Sequence, residues 1–159
     1  MKKPGVISVE DLAITTKQAQ TVRAHCILVV DDDKDVCQLS VDLLVDSGYE
    51  VDAASDGAAG WKAVRAARYD LIITDNFMPR MTGLEMIEKI RDARMSLPVI
   101  MATRSLPTEQ FYRKPWLRPD AALERPCSND VFLFTVKKLL RAEDSYRAQM
   151  KMLLPEYLR

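Results

Sequence analysis

Leu71-Ile72-Ile73-Thr74-Asp75-Asn76-Phe77-Met78-Pro79 is the stretch from which the fold can be read. Its apolar run stops at a carboxylate and a proline follows four residues on, the pattern of a buried strand that hands one acid to a loop. Ile27-Leu28-Val29-Val30 does the same, running straight into Asp31-Asp32-Asp33. Two strands that aim several carboxylates at one place suggest a cation site.

Outward from these runs, short apolar strands alternate with helical patterns, and that alternation implies parallel strands joined by crossover helices. The first strand covers Cys26 to Val30, and the helix after it places Val36, Leu39, Leu43 and Leu44 on one face, with Gly48 as a left-handed stop. Tyr49 to Ala53 is a weaker strand; Asp56 then caps a helix whose small residues Ala59, Ala63 and Ala67, with Val64, let it lie close to the sheet. Leu71 to Thr74 is the third strand. Thr82 and Glu85 have capping-box spacing for a helix burying Leu84, Ile87 and Ile90. Pro98 to Ala102 and Ala121 to Leu123 are the last two strands, and Ser128 caps a final helix carrying Val131, Phe132, Val136, Leu139 and Leu140. The expectation is an α/β fold, a doubly wound five-stranded parallel sheet of order 2-1-3-4-5. Pro107 suits a first helical turn, but Pro115 and Pro119 cannot sit inside a helix, so the fourth helix is expected to be shortened or irregular.

In open α/β sheets ligands bind beyond the carboxyl ends of the strands where the strand order reverses, here between strands one and three. Asp31, Asp32 and Asp75 fall there. Ionised carboxylates this close repel one another and call for a cation. Magnesium suits them, because it prefers oxygen ligands, keeps several waters and is held by one or two carboxylates together with phosphate oxygens.

Bulk composition narrows the functional classes. The 159 residues fit one domain with modest extensions. Lys plus Arg equals Asp plus Glu at 23 each, so no global field draws nucleic acid or an anionic membrane. Cys26, Cys37 and Cys127 are odd in number and share no CxxC spacing, which disfavours a disulfide framework and a zinc site. Met1-Lys2-Lys3 lacks the apolar stretch of a signal peptide, and no run is long enough to span a bilayer. A soluble, cytoplasmic protein is expected.

Taken in order, the acidic cluster after strand one, Asp75-x-x-Met78-Pro79 with Gly83 and Leu84, Thr103 after strand four, and Arg125-Pro126 after strand five resemble the receiver domain of bacterial two-component response regulators. The match spans about residues 25 to 142, leaving 1–24 as an N-terminal extension and 143–159 as a C-terminal helical tail. The resemblance implies a flavodoxin-like fold and a phosphorylation-dependent switch in a phosphorelay. In it, Asp75 accepts a phosphoryl group from a sensor histidine kinase or phosphotransfer protein, and the result is passed to a downstream protein by contact. It further implies that Asp32, Asp75 and the backbone carbonyl of Phe77 bind Mg2+ directly, with Asp31 acting through water. Thr103 and Arg125 would engage phosphoryl oxygens. Such a domain is not an enzyme in the usual sense; it promotes only its own phosphoryl transfer and hydrolysis.

The chain departs from the family pattern at several places. Arg125 stands where the family has lysine, a longer and planar cation. Ala122 stands where an aromatic switch residue is common. Phe77 and Ser105 occupy positions that influence phosphate hydrolysis, and a bulky Phe77 is expected to obstruct attacking water. Arg125, Ala122 and the proline-rich loop between strands four and five leave a receiver-like interaction module that is not phosphorylated as the alternative. A phosphatase of the haloacid dehalogenase type would need a second acid where Phe77 stands.

Other features have plainer readings. Asp33 is expected to cap the first helix, and Asp70 to be only a strand-start residue. Asp31-x-Asp33-x-Asp35 lacks the glycine of a calcium loop. Met78, Met81 and Met86 are read as packing, His25 as uninvolved in catalysis, and Arg113, Lys114, Trp116 and Arg118 as a solvated loop. After Leu140 only 19 residues remain, too few for an output domain, so a stand-alone receiver is expected. Phe132, Val136, Leu139, Tyr146, Met150 and Leu153 continue an alternating four-three spacing interrupted at Glu143. The last helix is therefore expected to reach into the tail and pack on its own domain, or on a second copy as a homodimer. Ser8 and Asp11 could begin an N-terminal helix, but its apolar face is thin.

Overall fold

Leu28, Val30, Ile72, Val99 and Met101 point to one side of a parallel sheet, while Ile27, Val29, Leu71, Ile73, Ile100 and Leu123 point to the other. This period-two separation of two apolar faces is what obliges helices to cover both sides. The computed structural model describes residues 23–154, and the expected helix starting near Ser8 lies outside them.

The strands are β1 (Cys26–Val30), β2 (Glu50–Ala54), β3 (Leu71–Thr74), β4 (Val99–Thr103) and β5 (Ala121–Glu124). They are all parallel, in the order β2-β1-β3-β4-β5. Between them run α1 (Lys34–Asp46), α2 (Gly57–Ala66), α3 (Gly83–Asp92) and α4 (Thr108–Arg113), and α5 (Asn129–Leu153) follows β5. Cys37 and Leu44 of α1 join Phe132, Val136 and Leu140 of α5 over one face. Val64 of α2, Met86, Ile87 and Ile90 of α3 and Phe111 of α4 cover the other. The chain is therefore doubly wound, as expected.

Helix ends follow their local signals. Asp33 caps α1, its carboxylate accepting from the backbone N–H groups of Asp35 and Val36. Asp56 and Ser128 cap α2 and α5, and Thr82 and Glu85 form a complete capping box on α3. Gly48 adopts φ 92°, a conformation that side-chain-bearing residues rarely hold. The fourth crossover is short: α4 has six residues, and a 3-10 turn at Pro115–Leu117 replaces any continuation.

Several details differ from the sequence reading. β2 and β4 each begin and end one residue later than expected. Leu39 is 70% exposed rather than buried with Leu44. Periodicity assigns a side chain to a stripe, but at this end of α1 the stripe overhangs a groove that it shares with Cys127 and Phe132. α5 runs without a break through Glu143, whose carboxylate accepts from Arg147 Nε at 3.1 Å. Asp70 is more than a strand start: it accepts from Cys26 N at 2.8 Å and from Arg147 Nη1 at 2.9 Å. His25 meets Asp144 at 3.1 Å, so the tail of α5 packs on its own chain at the amino ends of β1 and β3.

Candidate functional site

The carboxyl ends of β1 and β3 are level, because the ladder continues one residue past each strand. Asp31 N donates to Ala54 O at 3.1 Å, and Asp75 N donates to Val30 O at 3.0 Å. Two successive acids thus leave adjacent strands at the same height. Asp31, Asp32 and Asp75 each offer a carboxylate oxygen, and these atoms lie within 4.8 Å of one another. Asp31 is buried, Asp75 half-buried and Asp32 exposed.

The loop after Asp75 is held from below. Asn76 is buried, its side-chain oxygen accepts from Leu84 N at 3.0 Å, and its carbonyl accepts from Gly83 N at 3.0 Å. A Cβ at Gly83 would press into the backbone carbonyl of Asp75, so only glycine permits the α3 amino terminus to approach the acid this closely. Arg80, with φ 66°, is tied to buried Asp56 through Nε at 2.8 Å and through Nη2. The Asp56 carboxyl is held below the usual carboxylate range, first by the N–H of Ala59 and then by Arg80.

The opposite wall comes from β4 and β5. Arg125 N donates to Thr103 O at 2.8 Å, which extends the β4–β5 ladder up to the residue before Pro126 and sets Arg125 beside Thr103. Arg125 Nη1 then donates to Asp31 Oδ2 at 2.6 Å. The other Asp31 oxygen accepts from Asp33 N at 3.0 Å. Both oxygens of Asp31 are therefore engaged, whereas Asp32 and Asp75 make no side-chain hydrogen bond among the described residues. Thr103 is fully buried, and its hydroxyl is the one buried side-chain polar atom without a partner among the described residues. An orphaned hydroxyl beside an acidic cluster is costly unless something else binds there.

The cleft above these groups is lined by all three acids, Phe77, Thr103 and Arg125, and also by Arg104. The sequence reading missed Arg104, Asn76 and the Asp56–Arg80 tie. Asn76 and Arg104 each directly follow a singled-out residue; the tie has no local signal, since its partners are 24 residues apart. Ala122, by contrast, lies exposed on β5 and lines no part of the cleft. A larger cavity, about 1000 Å3, lies at the other end of the strands under the α5 tail, and its one carboxylate, Asp70, is committed to Cys26 and Arg147.

Residues 27–123 match the family described as the response regulator receiver domain. This chain belongs to that family. It is 30% identical over 122 residues to the transcriptional regulatory protein DltR of Streptococcus agalactiae, covering 77% of this chain and 54% of that protein. It is 32% identical over 120 residues to the alkaline phosphatase synthesis transcriptional regulatory protein PhoP of Bacillus subtilis, covering 74% and 49%. The chain thus spans about half the length of the curated relatives it matches. Among solved structures it resembles a CheY-like receiver domain protein from Methanospirillum hungatei, with TM-score 0.74 and 26% identity over 78% of this chain and 99% of that one. It also resembles the response regulator TrrA of Thermotoga maritima in complex with Mg2+-BeF, with TM-score 0.64 and 31% identity over 72% and 98%. The five-stranded receiver fold follows from both geometry and likeness. No helix among the described residues is long and apolar enough to cross a membrane.

Proposed function

We propose that this receiver domain is a phosphorylation-dependent switch that accepts a phosphoryl group on Asp75 with Mg2+ and signals through protein–protein contacts. The observation that carries this reading is the convergence of three carboxylates beside a buried, unpartnered Thr103 hydroxyl. The donor set fits magnesium: hard oxygen ligands, two carboxylates with no other side-chain bond, and room for water and phosphate oxygens. Asp32, Asp75 and the Phe77 carbonyl would hold the ion, and Asp31, with both oxygens engaged, would act through water. When bound, the ion supplies positive charge to the equatorial phosphoryl oxygens. The Mg2+-BeF complex of TrrA supports Mg2+ as the cation.

The protein's own groups do the rest. A carboxylate oxygen of Asp75 attacks the phosphorus of a phosphohistidine on a kinase or phosphotransfer protein. The P–N bond breaks and its electron pair returns to the imidazole of the donor. The transition state is loose, so positioning and charge outweigh base catalysis. The ladder bond to Val30 and the close approach of Gly83 hold the Asp75 backbone at the level of Asp31, which supports this positioning. The Thr103 hydroxyl gains the partner it lacks by donating to a phosphoryl oxygen, and Arg125 offsets the charge of Asp31 at the wall of the cleft. An apolar groove at the rim, lined by Val36, Leu39, Leu43 and Phe132, is suited to the phosphodonor protein.

The second reading, a module that is not phosphorylated, is favoured by one observation: Arg125 already places a fixed cation in the acidic cluster. Incubation with acetyl phosphate and Mg2+ followed by intact mass separates the two. The switch gains one phosphate that Asp75→Asn abolishes, and the module gains none.

A further inference from the structure

Arg104 follows Thr103 at the end of β4 and lines the same cleft as Asp75. It is exposed and forms no ion pair among the described residues, unlike Arg125, whose side chain is 17% exposed and pinned to buried Asp31. We propose that Arg104 contacts the phosphoryl group on Asp75 and supplies the cation the rest of the site lacks. This rests on the phosphoacceptor reading and goes beyond it.

Charge balance drives the argument. Asp31, Asp32 and Asp75 carry three negative charges, and one Mg2+ together with Arg125 would offset them. In transfer from acetyl phosphate, an Asp75 oxygen forms the new P–O bond while the P–O bond to the acetyl group breaks, and its electron pair leaves with acetate. Asp75 loses its own charge and gains a dianionic phosphoryl group, so the cleft is left one negative charge in excess. Arg125 is already counted against Asp31, and swinging its guanidinium away would strand a buried carboxylate. Arg104 alone lines the cleft as a cation with no other commitment among the described residues. Its guanidinium can offer two parallel N–H groups to phosphoryl oxygens, and as the exposed end of a long side chain it need not strain to do so.

The same position explains a feature of the groove beside the site. Arg104 and Arg125 line both the acidic cleft and the apolar groove along α1. A guanidinium at this junction meets a phosphoryl group arriving from that side before the group reaches Asp75.

The test uses the full chain, acetyl phosphate with Mg2+, and intact mass over time for wild type, Arg104→Ala, Arg104→Lys and Asp75→Asn. An exposed charge-assisted contact predicts that Arg104→Ala slows the initial rate about tenfold, and that Arg104→Lys, which keeps the charge but loses the fork, recovers part of it. The gap between wild type and Arg104→Ala should narrow in high salt, as screening weakens an exposed charge. The melting temperature of the unphosphorylated Arg104→Ala protein should match wild type, since the side chain has no partner to lose. An Arg104→Ala rate within twofold of wild type, or an Arg104→Lys rate as low as that of Arg104→Ala, would overturn the contact and leave the acceptor assignment standing. A wild-type chain that gains no phosphate would reject the acceptor assignment, and this proposal with it.

Discussion

Arg125 Nη1 and Asp31 Oδ2 lie 2.6 Å apart, with their side chains 17% and 2% exposed. A buried carboxylate thus has its charge partner just past the end of the far strand, β5, at the residue before Pro126. Removing one partner of such a pair leaves the other uncompensated, so Arg125→Ala should cost about 3 kcal/mol of stability. Arg125→Lys keeps the charge but loses the fork, and should cost less. Urea denaturation of the two variants gives the comparison, and equal midpoints for wild type and Arg125→Ala would contradict it.

Thr103 offers the reverse effect. Its hydroxyl is buried without a partner, so Thr103→Val removes an unsatisfied group while keeping the shape. The unphosphorylated protein should gain about 1 kcal/mol, and phosphorylation by acetyl phosphate should slow, because a phosphoryl oxygen loses its donor. Thr103→Ser should retain the rate. A loss of stability in Thr103→Val would mean that the hydroxyl is satisfied in solution.

Gly83 is a steric requirement rather than a flexible joint. A Cβ there would collide with the carbonyl oxygen of Asp75 and crowd Asn76 Cα at 3.1 Å, both of them backbone atoms with little freedom to retreat. Gly83→Ala should cost roughly 2 kcal/mol and, by displacing the end of β3, also slow phosphorylation. Denaturation and intact mass measure the two effects. A change below about 0.5 kcal/mol would show that the α3 amino terminus can shift away.

The pH dependence of stability has a marked contributor in Asp56. Its folded pKa is lowered by the N–H of Ala59, which donates at 2.8 Å, and by Arg80. A depressed folded value means that the stabilisation is fully present above the unfolded carboxylate pKa, near about 4, and is lost as pH falls through the folded value. Asp70 works in the same direction: burial pushes its carboxyl up, but the bonds from Cys26 N and Arg147 outweigh it. Asp56→Asn should therefore flatten the acid limb of a stability profile measured between about pH 2 and 5. An unchanged slope would remove Asp56 as its source.

How much of this was legible in the sequence depends on how local the cause was. β1 and β3 could be read because both faces of each are buried, which makes their apolar runs continuous. The caps at Asp33, Asp56, Thr82 and Ser128 were legible for the same reason, since each signal lies within three residues. The acids at the strand ends came with the strands. Leu39 was misplaced because helical period defines a stripe without saying which part of it a neighbour covers. The Arg125–Asp31 pair depends on the β4–β5 ladder and joins residues 94 apart, and the Asp70–Arg147 tie joins residues 77 apart. No spacing rule reaches that far.

Phe77 should set the lifetime of the phosphorylated state. Its side chain is 60% exposed yet lines the cleft with Asp75, so an apolar ring borders the space that a phosphoryl group on Asp75 would enter. An aromatic side chain offers that water no hydrogen bond to orient it for attack. The phosphorylated wild type should therefore lose phosphate slowly, and Phe77→Asn, which opens the approach and can orient water, should shorten the half-life several-fold. The ring is largely solvated, so the substitution should leave stability within about 0.5 kcal/mol of wild type, and any kinetic change can be read directly. Loss of label from purified phosphoprotein, followed by intact mass in both proteins, measures it. Rapid loss from wild type, or equal half-lives, would show that water reaches the phosphoryl group by a path that Phe77 does not cover.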